Sequence, residues 1–337
     1  MIWTTWRQHR TELLITGTVL LLVLLILLMT GITIAGESSR TGFAACLARQ
    51  ADCSLSPAQS AVENFIQNQA FGNSTFYTLF QLALLALPLA VGMFVGAHMV
   101  AREYEEGTYR LAWTQSISRS RWLLVKVALL MGLLLVASGI LCAAFSWWKI
   151  PVVAATSGLW GSTNYDVWSI VAIPYTLFSL MLGICTGTLV RKTVPAMAIT
   201  LVVFVILRVV IEVFWRSYFL PPLVMTIPVN STIAPPPQAL VLSDTQEILD
   251  RRGNQTSLPS SVKDSCSAQI SRDETPQEVS DTYNQCLAMH GFQFVTVVVY
   301  QPPDRFWLFQ AIESGIYLCL TAFLFALTFW WVKYRFI

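Results

Sequence analysis

Residues 13–35 read LLITGTVLLLVLLILLMTGITIA, an apolar stretch without one charged side chain. A helix rises about 1.5 Å per residue, so a stretch of this length crosses the roughly 30 Å hydrocarbon core of a bilayer. It is apolar on every side, as a helix in lipid is, and not striped like one resting on a soluble core. The run exceeds the roughly 7–15 apolar residues of a secretory leader, so it is expected to be retained as a first transmembrane helix.

Five more stretches of the same kind follow, at 77–100, 122–148, 167–190, 194–215 and 306–332. The sustained two-residue alternation of a transmembrane barrel is missing. Composition agrees. The 337 residues are 55% hydrophobic and only 12% charged, half the share of an ordinary soluble domain. That excludes a conventional soluble enzyme. A net charge of +2 is too small to attract nucleic acid. The expected fold class is an all-α polytopic membrane protein with six transmembrane helices.

With six spans both termini share one face. Arg7, Arg10, Arg102, Arg110, Arg119, Arg121, Lys126, Arg191, Lys192, Lys333 and Arg335 fall there, 11 of the 21 Lys and Arg, on short segments. The positive-inside rule makes that face cytoplasmic, so the protein is expected in the cell membrane with both termini inside. Of the seven cysteines, Cys142, Cys185 and Cys319 lie within spans; Cys46, Cys53, Cys266 and Cys286 all fall on the outer face. Four thiols on one face fit disulfides in an oxidising compartment. The local pairs Cys46–Cys53 and Cys266–Cys286 are expected, with the cross-pairings left open. Between spans 5 and 6 lies one long outer stretch, 216–305, which opens Pro-rich. In it, 238–251 reads as a short helix and 292–300 as a strand or interfacial segment. The domains are thus 1–215 with spans 1–5, 216–305 as an extracellular loop domain, and 306–337 with span 6 and a tail.

The segment at 102–126, REYEEGTYRLAWTQSISRSRWLLVK, leaves one span and enters the next. Gly107 can close a helix, Thr108 can cap a second short one, and Ser118 or Ser120 can cap span 3. Leu111, Ala112 and Trp113 give that short helix an apolar side, opposite Arg110 and Gln115. Such a helix, held between two spans, suits a partner's groove as well as it suits an ordinary loop.

The pattern Glu103-x-Glu105-Glu106-Gly107-Thr108, then Leu111, Ser118-Arg119 and Lys126, resembles the type-2 ABC exporter permease family. The start MIWTTWRQHR and the run VGMFVGAHMVAREYEEGTYRLAWTQS at 91–116 resemble its actinobacterial subunits. Ile117 stands where that family often carries Pro. The resemblance implies a membrane subunit of an ATP-driven exporter. Its coupling helix, within 102–121, docks on an ABC ATPase supplied in trans, through Glu103, Glu105, Glu106, Gly107, Thr108, Arg110, Leu111 and Arg119. It further implies an N-terminal interfacial helix with Trp3, Trp6, Arg7 and Arg10, a smaller contact at 191–193, and pairing with a second permease chain, identical or different. The chain has no Gly-Lys pair and hence no G-x-x-x-x-G-K-[ST] phosphate loop. It is therefore read as no enzyme, with no cofactor of its own; ATP and Mg belong to the partner.

Arg208 and Glu212 stand one turn apart in span 5, and Glu313 sits at similar depth in span 6. A lone charge there is costly, so Arg208 is expected to pair with Glu313 or Glu212. Gly92–Gly96 and Gly183–Gly187 are small-xxx-small motifs, and Pro88 and Pro174 can bend spans 2 and 4. Three histidines, His9, His98 and His290, are too scattered for a shared site, and no metal is expected. The apolar spans 2 and 5 point to a hydrophobic or amphipathic cargo. The alternative is a membrane sensor or immunity protein that binds a ligand through its outer loop.

Overall fold

The computed structural model describes residues 2–49, 56–107, 118–155, 158–167, 169–229, 231, 233–236, 238–269 and 276–334. They divide into two compact units, 1–216 with 306–337, and 217–305. The first unit is helical. Six of its helices are long and apolar enough to cross a membrane: Gly17–Arg40, Ser74–Glu105, Ser120–Trp148, Ala172–Val190, Thr193–Tyr218 and Pro303–Tyr334, here spans 1 to 6.

Span 4 organises the bundle. Pro174 to Thr188 are buried without a break, whereas the other spans bury only a minor share of their apolar windows. It touches spans 2, 3, 5 and 6. In lipid the outward Leu, Val and Phe of those neighbours replace one apolar solvent with another, so they are soluble without being covered.

Span 2 is not uniform. It runs as an α-helix over Ser74–Ala90, widens to a π-helix over Val91–Ala97, and resumes as α over His98–Glu105. The widening begins three residues after Pro88, which has no N–H to give the ladder. The π turn faces span 4. A Cβ at Gly92 would stand 2.6 Å from the Ser179 carbonyl, and one at Gly96 2.6 Å from the Leu180 carbonyl. One at Gly187 would stand 2.9 Å from the Ala97 carbonyl. The two small-residue motifs meet each other, backbone against backbone. Asn73 opens the span, its side chain accepting the Phe76 N–H at 2.7 Å.

Side-chain pairs define two ends of the bundle. One gathers the end of span 2 with the starts of spans 3 and 5 and the end of span 6: Tyr104, Trp122 and Val332 share a core cluster there. At the other, Trp148 of span 3 donates its indole N–H to Thr30 of span 1 at 3.0 Å and stacks edge-on against Phe71.

The second unit corrects the all-helical reading. It holds a three-stranded antiparallel sheet, β1 (Leu223–Pro228), β2 (Leu240–Leu249) and β3 (Gln293–Gln301), in the order β1-β3-β2. The stretch read as a helix at 238–251 is β2, paired from Leu240↔Gln301 to Leu249↔Gln293 with a bulge between Val241 and Ser243. Its own residues are neutral between the two structures. The β-branched run of β3, FVTVVVY, supplies a partner that decides it. Cys266 and Cys286 form a disulfide between helices Ser260–Ser267 and Pro276–Met289, inside a core with Leu287, Phe292 and Phe294.

Candidate functional site

Two groups of charged residues stand at opposite ends of the helical unit. The first is at the base of the segment that follows span 2. Helix His98–Glu105 ends at Glu106, and Gly107 takes the left-handed conformation at φ 72° that a residue with a side chain adopts only with strain. The three glutamates before it point three ways. Glu103 pairs with Lys126 of span 3, and both side chains are largely buried. Lys126 also lies over the Trp122 ring. Glu105 reaches span 5, where it accepts the Thr193 backbone N–H at 3.2 Å and the Thr193 hydroxyl at 2.6 Å. Glu106 bonds Arg102 on its own helix at 2.7 Å. Span 5 begins after Arg191, itself at φ 58°, and Lys192, whose side chain supplies no cap. Glu105 of span 2 therefore does the work of an N-cap for span 5. Ser118 accepts the Arg121 N–H at 3.4 Å as span 3 starts. Thr108, Arg110 and Leu111 lie outside the described residues, and of Arg119 only the backbone is described.

The second group is a buried charged cluster at the other end. Arg216, in the turn that ends span 5, bridges two carboxylates. Its Nε and Nη2 donate to Glu313 at 3.1 Å each, and Nη2 donates to Asp166 at 2.6 Å. Arg208 pairs with the other Asp166 oxygen at 2.8 Å. The Tyr175 hydroxyl donates to both Asp166 and Glu313. Each guanidinium lies over a ring, Arg208 over Tyr175 at 4.0 Å and Arg216 over Tyr165 at 4.1 Å. Gln310 joins the cluster to span 4, accepting the Val171 N–H and donating to the Tyr165 carbonyl. Two buried cations face two buried carboxylates, which is how such charges are tolerated away from water.

This corrects the expected pairing of Arg208 with Glu313 or Glu212. Arg208 pairs with Asp166; Glu313 pairs with Arg216, and Glu212 stands 3.9 Å from Arg216. Asp166 stands one residue before the apolar stretch 167–190. The short helix Ser162–Asp166 carries its carboxylate inward to full burial. Arg208, Glu212 and Arg216 recur every four residues, the signal that could have added Arg216.

A cavity of about 310 Å³ is lined by spans 1 to 4 and by Arg208 of span 5, with Asp166, Tyr175 and Arg208 at its polar part and Leu84, Pro88, Phe94, Leu134 and Leu141 along its apolar walls.

In the second unit, Cys266, Cys286 and His290 bring their ligand atoms within 4.8 Å of one another. Both sulfurs are spent in the disulfide, so no thiolate is on offer to a metal. Cys46 is also disulfide-bonded; Cys53, its expected partner, lies outside the described residues. The Asp250 carboxylate accepts backbone N–H groups of Asn254 and Arg252 at 2.9 and 2.8 Å, and these hold its pKa below the ordinary aspartate value.

No curated protein and no solved structure matches the chain. A family model described as ABC-2 membrane transporter related matches residues 17–216, spans 1 to 5 with the connections among them. That is more than half of the sequence. The bundle of six apolar helices and this match agree: the chain is a multi-pass membrane transport component and belongs to the ABC-2 membrane transporter related family.

Proposed function

We propose that this chain is the permease subunit of an ATP-driven exporter, coupled to a separate ABC ATPase that docks at the segment after span 2. The observation that carries the reading is the family match, joined to the way that segment is anchored. A helix pushed by a nucleotide-driven partner moves substrate only if its base is fastened to the spans that must move. Glu103 fastens it to span 3 and Glu105 to span 5. The sequence carries no phosphate loop, so the energy must enter through a partner.

In this reading the end with Glu105 and Lys126 faces the cytoplasm, where the short Arg- and Lys-rich segments lie. The end with the Arg216 cluster faces outward. Two chains pair to enclose a pathway, and the cargo is hydrophobic or amphipathic. The cluster of Arg208, Arg216, Asp166 and Glu313 ties spans 4, 5 and 6 near the outer surface and is placed to act as a gate there.

The test is co-purification. The chain is expressed with its genomic neighbours, solubilised and scored for a bound ATPase. The reading expects a stoichiometric ATPase that is lost when Glu106 and Gly107 are both replaced. A chain that purifies alone, and keeps its cellular effect without an ATPase, overturns the proposal in favour of a sensor or immunity protein.

A further inference from the structure

We propose that the cavity among spans 1 to 4 is a binding site for a long-chain amphiphile whose head accepts hydrogen bonds, with Arg208 as the group that receives the head.

The shape comes from where the lining residues sit along their spans. Val19 and Leu20 lie near the start of span 1, and Phe94 lies two-thirds along span 2, towards the end that carries Glu105. Phe145 and Tyr175 lie at the opposite end, near the close of span 3 and the start of span 4. The cavity is therefore elongated along the bundle and spans much of the apolar thickness. Its wall on span 2 runs from Leu84 to Val95 through Pro88 and the π turn, so the break in that helix shapes it. At about 310 Å³ it reaches the size range of small-molecule sites, roughly 300–1,000 Å³. Phe94 both lines the cavity and is 59% exposed, so the cavity reaches the lipid-facing surface. A ligand can enter from the bilayer.

The chemistry of the polar part selects the head. Ser138 and Thr176 donate their protons to carbonyls of their own helices, at 2.6 and 2.8 Å. One Asp166 oxygen accepts from Arg216 and Tyr175, and the other lies 2.8 Å from the Arg208 guanidinium as an ion pair. The Asp166 side chain is 0% exposed, whereas that of Arg208 is 11% exposed. Among the described residues, the Arg208 guanidinium engages Asp166 through Nη2 and lays its face on the Tyr175 ring. A guanidinium carries five N–H groups, so donors on Nε and Nη1 remain for a ligand. The available charged group is a donor. A carboxylate, phosphate or ester oxygen finds a partner there, while an ammonium head meets a guanidinium and a fully buried carboxylate already neutralised by two arginines.

Whether such a ligand is cargo rests on the transport reading; its binding does not. The full chain is reconstituted in phosphatidylcholine nanodiscs with a palmitate that carries a photoreactive diazirine at mid-chain, and labelled residues are mapped by mass spectrometry. The label is expected on cavity residues such as Phe94 and Leu141. Excess palmitate should displace it and excess hexadecylamine should not. Arg208→Gln should lower labelling about tenfold, the loss of one charge-assisted contact. Ala137→Phe, which fills the cavity without touching Arg208, should abolish it and stands in if the first variant does not fold. Equal labelling of the lipid-facing Ile206 and Val209, equal competition by the amine, or unchanged labelling in Ala137→Phe overturns the site. An ATPase missing from the co-purification removes the transport role and leaves this result standing.

Discussion

The carboxylate of Glu105, the last residue of span 2, caps the first residue of span 5 by accepting both the N–H and the hydroxyl of Thr193. An end of one span thereby fixes the start of another 88 residues away in sequence. Replacing a capping acceptor by alanine leaves the first N–H of the helix without its partner. Glu105→Ala should therefore lower the melting temperature of the solubilised protein modestly, while Glu105→Gln, which keeps an acceptor oxygen, should lose less. In the transport reading Glu105→Ala should also uncouple ATP hydrolysis from export, measured as ATPase activity that persists while efflux falls.

Glu103 and Lys126 offer a sharper comparison. Their side chains are 12% and 7% exposed, so removing one takes the nearest counter-charge from the other in a poorly hydrated place. Breaking such a pair costs about 3–5 kcal/mol, whereas replacing both partners by apolar or neutral residues costs far less. Glu103→Gln and Lys126→Met should each destabilise strongly. The double variant should recover most of the loss, by thermal unfolding in a double-mutant cycle. Additive losses would show that the two residues act separately.

Much of the helical unit is legible in the sequence. Six apolar stretches are long enough to span, and lipid imposes so strict a requirement that length and hydropathy carry the decision. The resemblance implies contacts from the glutamates before Gly107 to a partner; within the chain, Glu103 also pairs with span 3 and Glu105 with span 5. Sequence spacing shows which residues share a helix face but not which distant helix that face meets. Asp166 was missed for a related reason: a turn before a span can carry a side chain into the bundle, and no periodicity marks it. Strand β2 was missed because pairing with β3, 44 residues beyond its end, outweighs a weak local preference.

The contact between spans 2 and 4 yields a test with a built-in control. At Gly183 a Cβ would stand 2.7 Å from the Ala97 nitrogen, against backbone that cannot move aside without separating the helices. At Gly139, in span 3, a Cβ would meet nothing within 4 Å. Gly183→Ala and Gly92→Ala should each destabilise by more than about 2 kcal/mol, in the range of overpacked cores. Gly139→Ala should be neutral or stabilising by up to about 1 kcal/mol, since alanine is the better helix former. Thermal melts of the three variants decide this.

In the second unit, Asp250 holds the turn that follows β2 through its bonds to the Asn254 and Arg252 N–H groups. Its pKa is lowered by those bonds, so its contribution to folding is present above the unfolded value of about 3.9 and is lost as pH falls through the lower folded value. Carboxyl chemical shifts should place its midpoint below about 3.9. Asp250→Asn should flatten the acid-side loss of this turn and lower its stability at neutral pH, where the amide oxygen accepts more weakly than the carboxylate.

Arg216 carries more of its buried cluster than either of its carboxylates. Arg216→Gln leaves Asp166 and Glu313 facing each other with Arg208 as the remaining cation, and Arg208 reaches only Asp166. Glu313→Gln leaves Arg216 still paired with Asp166 and Tyr175 still able to donate to it. Arg216→Gln should therefore cost about 3–5 kcal/mol, the price of an uncompensated buried charge, and Glu313→Gln distinctly less. Arg216→Gln combined with Glu313→Gln should be more stable than Arg216→Gln alone, because the stranded carboxylate is gone. Unfolding of the reconstituted variants, followed by limited proteolysis near 216 and 306, orders the three. A double variant no better than Arg216→Gln would mean that Glu313 is not the group that Arg216 neutralises.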